Sequence, residues 1–380
     1  MAIEFAVKKA LRTPMASIQA FDFIVKKNNL QETKIVERAF SRKLPSNQVL
    51  LKIDTFSLTS NNITYGIMGE QMNYWQFFPA ETGYGIIPAW GFADVMVSNH
   101  LGVKVGQRFY GYYPIGTHLV VIPDKISPHG FVDSAEHRRA LPLVYNFYTN
   151  TAQDPSITTK TEALVALFRP LFVTSFLIDY HLEAQNFFSA SQILVTSASS
   201  KTAQALAFLL ALRKKEPGLP LNLIGLTSKK NVPFVQQLGW YDKTICYEQC
   251  AELNSNEKIV VVDFTGNHHT QYQLQTTFGD NLVYNCLVGL ADWQHLRGKQ
   301  SLPNKGEFFF APTHAEELQQ ALGVSRFQQK VGLAWQQFIG AIQSAISIKQ
   351  YRGVQELEKL YSTMLNGNMD PKQGNMICLH

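Results

Sequence analysis

Ser191-Gln192-Ile193-Leu194-Val195-Thr196-Ser197-Ala198-Ser199-Ser200-Lys201-Thr202-Ala203 is the stretch that decides the fold. An apolar strand pattern over 192–196 runs into small polar residues over 197–203. A helical apolar pattern follows at once, through Leu206, Leu209, Leu210 and Leu212. Strand, small-residue turn and helix is the order of a dinucleotide-binding βαβ unit. The turn lets backbone approach a pyrophosphate, and the helix start supplies unpaired N–H groups and a positive dipole end. No glycine lies between Ser191 and Arg213, so the usual G-x-G-x-x-G is absent. Ala203 stands at the third glycine position and still permits close packing of helix on sheet. Ser199, Ser200, Lys201 and Thr202 replace the others, and their hydroxyls and ammonium suit phosphate oxygens. Alone, the segment also fits an ordinary strand–helix turn with Ser as N-cap. A Walker-type loop is disfavoured, because Ser200 and Val195 occupy its two glycine positions.

The text downstream strengthens the nucleotide reading. Residues 221–226 read as the next buried parallel strand, ending in Thr227-Ser228-Lys229-Lys230-Asn231. The acid that holds a ribose 2′-hydroxyl in an NAD site is missing there. Two hydroxyls and two lysines take its place, which favours the 2′-phosphate of NADP(H); the alternative is a solvated turn with incidental lysines. A strand over 258–266 ends in Asp263-Phe264-Thr265-Gly266, and a short apolar run over 281–289 ends in Gly289. Strands alternating with helical patterns imply an open parallel sheet.

These motifs together resemble the cofactor domain of the medium-chain dehydrogenase/reductase superfamily, in particular its zinc-free quinone and enoyl reductases. Residues 197–203 overlie the phosphate loop of those enzymes, and Leu238-Gly239 with Tyr241-Asp242-Lys243 resembles their Leu-Gly-Ala-Asp segment. The resemblance implies cofactor contacts from Ser199, Ser200, Lys201 and Thr202, from Thr227, Ser228, Lys229 and Lys230, and from Tyr247 at the 2′-phosphate. Asp263 and Gly266 match the Asp-x-x-Gly that closes the fourth strand of those enzymes; with Gly289 they are expected to be cofactor-binding, and the resemblance implies that Thr174 approaches the nicotinamide. In the N-terminal half, Val49–Ile53 resembles the opening strand of the substrate domain. Val105–Gly111 resembles the Val-Gly-Asp-Arg-Val turn, with Gln107 for the acid. A closer resemblance rests on Asn61–Tyr65, Tyr74–Ala80 and Trp90–Ala93, together with Ala198–Ala203 and Gly225–Ser228. These are similar to the signature of a mainly bacterial family classed as a domain of unknown function, which implies a fold and a cofactor but no substrate.

The expected fold class is α/β: a Rossmann-type parallel-sheet domain at 166–312 and a largely antiparallel, GroES-like barrel domain at 1–165 and 313–380. A length of 380 residues agrees with two domains, and 46% apolar content supports sizeable cores. A net charge of +5 is too mild to suggest a nucleic-acid partner. No membrane partner is expected, since no signal-peptide pattern appears and the apolar stretch 164–177 is interrupted by Arg169 and Pro170. Four cysteines, at 246, 250, 286 and 378, lack the density of a disulfide scaffold and point to the cytoplasm. No metal site is expected: Ser57–Ser60 hold no cysteine, Pro88–Phe92 hold no ligand, and neither His268-His269 nor Cys246/Cys250 has a second pair. The segment 127–160, with His137-Arg138-Arg139 and Tyr145–Tyr148, has no counterpart in the reductases and either caps the cleft or packs on the surface.

Without zinc, a reductase must rely on hydrogen-bond donors and on placing the nicotinamide. Hydride addition to an activated alkene, quinone or carbonyl of a small molecule fits, because the charge spreads onto an oxygen that a phenol or amide stabilises. The resemblance sets Asn61–Tyr65 near the nicotinamide, so Tyr65, Tyr74 and Asn62 are the candidate catalytic residues. Trp75, Phe77 and Phe78 also suit Tyr74 to an aromatic core. The second class of function is a non-enzymatic nucleotide-binding sensor or partner-binding protein on the same fold. Finally, Phe308-Phe309-Phe310 makes residues 307–311 an apolar sheet edge, and a homodimer through that edge is expected.

Overall fold

Alternating apolar and polar residues in the N-terminal part build antiparallel strands. A computed structural model of the chain describes residues 17–215, 220–288 and 306–380. Within these, contacts divide the chain into two units: 17–56, 75–154 and 379–380 form the first, and 57–74 with 155–378 the second.

The first unit contains β1 (Ile18–Lys26), β2 (Asn29–Phe40), most of β3 (Val49–Leu58), β4 (Tyr84–Gly85), β5 (Pro88–Ser98), β6 (Arg108–Pro114), β7 (His118–Val121), β8 (Pro123–Ser127), β9 (Gly130–Asp133) and β10 (Phe147–Asn150). β2-β1-β4 form one sheet, and β3-β5-β6-β10-β9-β8 run through the other with β7 also on β3. All of these pairings are antiparallel. The segment 127–160 is neither cap nor surface ornament: β9 and β10 extend the sheet, with Thr149 opposite Tyr110 and Phe147 opposite Val132. Gly111 makes this possible, because a Cβ there would stand 2.4 Å from the Tyr148 ring. Between β9 and β10 lies Arg138, only 1% exposed. Its guanidinium donates to Asn146 Oδ1 (2.9 Å), Asp133 Oδ2 (3.1 Å), Tyr148 OH (2.8 Å) and Tyr145 O (2.6 Å).

In the second unit, α1 (Ser60–Ile67) leads on to α2 (Glu162–Ala184). Arg169 and Pro170 interrupt the apolar run of 164–177 but not the helix: α2 runs 23 residues through Pro170. Proline has no N–H to give the carbonyl four residues back. That carbonyl, Ala166 O, accepts from Ser57 Oγ at 2.8 Å instead. By length and composition α2 is, among the described residues, the one helix able to cross a membrane; 67% of its most apolar window is buried, as in a core helix. The chain then alternates β11 (Gln192–Val195), α3 (Lys201–Arg213), β12 (Asn222–Thr227), α4 (Val232–Leu238), β13 (Lys243–Cys246), β14 (Ile259–Asp263), α5 (His268–Phe278), β15 (Leu282–Leu287) and β16 (Gly306–Phe308). The strands are parallel in the order β13-β12-β11-β14-β15-β16. Renumbered from β11, this is 3-2-1-4-5-6, the doubly wound dinucleotide-binding order. Leu194, Ile224, Leu226, Ile245, Val261 and Leu274 form a buried core on this sheet.

The unit closes with α6 (Ala311–Leu322), α7 (Val324–Ile342), β17 (Ser347–Arg352), α8 (Gly353–Leu365) and β18 (Gln373–Cys378), the two strands pairing in parallel. By contacts, 313–378 fall in the second unit. Aromatic packing joins α7 to α2. Phe172 lies 5.3 Å from Trp335 and 5.2 Å from Phe338 of α7, and Phe168 lies 5.2 Å from Phe338.

Candidate functional site

Strand order reverses between β11 and β14, and open α/β sheets bind ligands outside the carboxyl ends of the strands at such a point. There the chain leaves β11 through Thr196 and Ser197. Ser197 sits at φ 49°, a left-handed conformation that a glycine would hold without strain. Its N–H donates to Tyr247 OH (3.1 Å), and its carbonyl accepts from Ser200 N (2.7 Å). Burial pushes the Tyr247 phenol up to about 12, so it stays neutral in that contact.

Two hydroxyls of this loop are engaged by the protein itself. Ser199 Oγ accepts from Thr227 Oγ1 (3.2 Å) and from Asn231 Nδ2 (3.0 Å). Ser200 is the N-cap of α3, its Oγ accepting from Ala203 N at 3.3 Å. Gln204 Nε2 holds the Ser199 carbonyl at 2.7 Å, and Ser175 Oγ holds that of Thr202 at 2.8 Å. Lys201 turns its ammonium onto Pro371 O. Burial pulls the Lys201 pKa down to about 7, against the field of Asp370. The backbone N–H groups of Lys201 and Thr202 begin the helix, where no intrahelical acceptor exists.

The other residues singled out in the sequence fall in distinct places. Ser228 precedes the turn Lys229–Asn231 at the end of β12, with both lysines exposed. Asp263 is fully buried. Its carboxylate accepts from Thr196 Oγ1 (2.5 Å), Thr265 N (3.0 Å), Thr265 Oγ1 (2.7 Å), Gly266 N (3.1 Å) and Gln271 Nε2 (2.6 Å). It therefore shapes the turn after β14 through protein donors. Thr174 bonds back to Pro170 O within α2 at 3.2 Å. Gly289 lies outside the described residues. Asn62 Oδ1 accepts from Thr59 N at 2.8 Å, as half of a capping box for α1. Tyr65 and Tyr74 are buried against each other, ring centroids 4.7 Å apart and tilted by 49°.

A cavity of about 300 Å³ opens beside the loop, walled wholly by the second unit. One wall is Ser199–Thr202; a second is Thr59, Ser60 and Asn61 at the start of α1. Asp370 and Pro371, with Gln373 and Asn375 of β18, form the third. Asn375 is 3% exposed, and its Oδ1 has no hydrogen-bond partner. The phenols of Tyr65 and Tyr74 are not on these walls, whereas Asn61, next to Asn62, is. Asn61 belonged to the quoted 61–65 motif and was readable as a candidate. Asp370, Gln373 and Asn375 were not, since 170 residues separate Lys201 from its acceptor at Pro371.

A family model described as "Protein of unknown function (DUF2855)" matches residues 56–370. No curated protein matches the chain. Among solved structures, CurA of Vibrio vulnificus in complex with NADPH is 12% identical with a TM-score of 0.58, the match covering 96% of this chain and 99% of that one. The CurK enoyl reductase is 12% identical with a TM-score of 0.55, covering 96% and 100%. The yhdH oxidoreductase of Salmonella enterica in complex with NADP is 11% identical with a TM-score of 0.53, again covering 96% and 100%. At these identities the likeness is one of fold: a parallel-sheet Rossmann-type domain with a largely antiparallel GroES-like one.

Proposed function

Since the chain belongs to that family, we propose that it is a zinc-independent NADP(H)-dependent oxidoreductase that reduces an activated alkene, quinone or carbonyl of a small molecule. The observation that carries the reading is the 3-2-1-4-5-6 sheet whose switch point opens, at the start of α3, on a polar cavity. The residues present fit a dinucleotide. The N–H groups at the start of α3 suit its pyrophosphate, and the orphaned Asn375 Oδ1 offers an acceptor to a hydroxyl or amide. Bound there, NADPH supplies a hydride; the chain's part is to hold it, orient it and exclude water. Ser228, Lys229 and Lys230 are proposed to meet the 2′-phosphate. Asp263, Gly266 and Tyr247 act by fixing the turns around it. Asn62 sets the start of α1, and Asn61 is the side chain of that motif offered to the ligand. Two neighbouring structures hold NADPH or NADP, which supports this choice of cofactor.

The hydroxyls of Ser199 and Ser200, engaged by the protein itself, favour a second reading, a nucleotide-binding sensor or partner-binding protein without turnover. Stopped-flow oxidation of bound NADPH by a panel of enones, quinones and aldehydes separates the two. The first reading expects at least one class to oxidise it; no oxidation by any class supports the second.

Cofactor preference follows from Lys229 and Lys230. A charge-assisted hydrogen bond contributes about 1.5–3 kcal/mol, or roughly tenfold to a hundredfold in affinity. The wild type should bind NADPH over NADH, and Lys229→Ala with Lys230→Ala should erode the difference by that factor, as read by fluorescence titration.

We also propose a cytoplasmic homodimer. The four cysteines are free thiols. β16 ends the parallel sheet on one side, and Phe308 and Phe310 stack 6.5 Å apart there. An apolar edge of this kind is normally covered. Light scattering at micromolar concentration should return twice the chain mass.

A further inference from the structure

Lys201 places a cation where the glycine-rich loop of a dinucleotide site brings backbone to the pyrophosphate. Its ammonium has a carbonyl, Pro371 O, as hydrogen-bond partner and lies 5.7 Å over the Phe168 ring. The charged group that faces it is Asp370, on the turn before β18. The neighbouring wall residues Thr59, Ser60, Asn61, Gln373 and Asn375 are uncharged. Lys201 is half-buried, and an ammonium partly removed from water without a bonded counter-ion is favoured by an anion that joins it. The same cavity holds a second unmet group, Asn375 Oδ1, an acceptor with no donor. A ligand carrying an anionic group beside a hydroxyl or amide donor meets both.

We propose that an anionic ligand binds at the start of α3 together with a proton, which the Lys201 amine takes from solvent as it leaves Pro371 O for the anion. Lys201 is then a positioning and specificity residue whose charge is completed only by the ligand. The proposal rests on the nucleotide reading for the identity of the ligand, NADPH. Burial lowers the Lys201 pKa to about 7, so in the free protein its charge is lost as pH rises above neutral. A nearby negative charge restores the ammonium. Affinity should therefore fall about tenfold for each pH unit above 7.5, the signature of one linked proton. The 2′-phosphate does not contribute, because its second ionisation lies near pH 6 and is complete in that range.

The test is calorimetric titration of the full chain with NADPH at pH 8.5, in buffers of different ionisation enthalpy, with affinity followed from pH 7 to 9.5. The wild type should take up about one proton per nucleotide. Lys201→Met should take up none, bind with an affinity independent of pH, and converge on the wild type at the alkaline end. Asp370→Asn should retain the slope but begin it at lower pH, because the carboxylate that favours the ammonium is gone; this variant decides the matter if Lys201→Met does not fold. NADPH binding without proton uptake, a slope that survives Lys201→Met, or an Asp370→Asn profile that does not move would each overturn the proposal and leave the nucleotide reading intact. Absence of NADPH binding at every pH would overturn both.

Discussion

Replacing Arg138 by alanine should cost the chain about 3–5 kcal/mol, the loss typical of removing one partner from a buried ion pair. The guanidinium supports a closed set of groups. Asp133 accepts from it and also from Ile122 N (2.9 Å) and Ala135 N (3.1 Å). Tyr148 accepts from it and passes its own hydrogen to Tyr112 O at 2.8 Å. Burial pushes the Tyr148 phenol up to about 12, so this relay stays neutral at any ordinary pH. Phe78 covers the guanidinium at 5.2 Å and Phe77 at 5.6 Å. Alanine would leave the Asp133 side chain without its cationic partner in a dry site and open a void between the rings. Arg139, exposed and with its guanidinium on Ser134 O, is the control, expected within about 0.5 kcal/mol of wild type. Urea unfolding checks both; a loss below 1 kcal/mol for Arg138→Ala, against the range just given, would contradict the role of 127–160 as an integral part of the sheet.

Asp263→Ala should be comparably severe. It strips the acceptor from five hydrogen bonds that tie β11, the 264–267 turn, α5 and β15 together. The tie to β15 runs through Gln271, whose Oε1 accepts from Asn285 Nδ2 at 2.6 Å. Orphaning two buried donors at about 1–3 kcal/mol each already puts the loss at roughly 2–6 kcal/mol. Asp263→Asn keeps the volume but turns an amide N–H₂ toward other donors, so it should recover only part of the stability. Full recovery in Asn would show that charge and acceptor count are unimportant there.

Much of this was legible along the chain. The β11–α3 junction could be read because apolar period and a small-residue turn are local signals. The parallel order followed from strands and helices alternating at regular spacing. Side-chain direction was not legible. Ser199 and Lys201 read as phosphate donors, but their partners, Asn231 and Pro371, are 32 and 170 residues away. Asn62 and Asn61 are adjacent, and only the helix cap decides which is consumed. That a helix continues through Pro170 was not legible, because the hydroxyl that meets the freed carbonyl, Ser57, lies 109 residues upstream of it. Arg138 read only as part of a segment that caps the cleft or packs on the surface, because its four partners become a site only after β9 and β10 join the sheet.

The most direct test of the central claim is equilibrium titration of the purified chain with NADPH and with NADH at pH 7, followed by nicotinamide fluorescence. The account predicts saturable binding of about one NADPH per chain, at least tenfold tighter than NADH. No saturable binding of NADPH would contradict it.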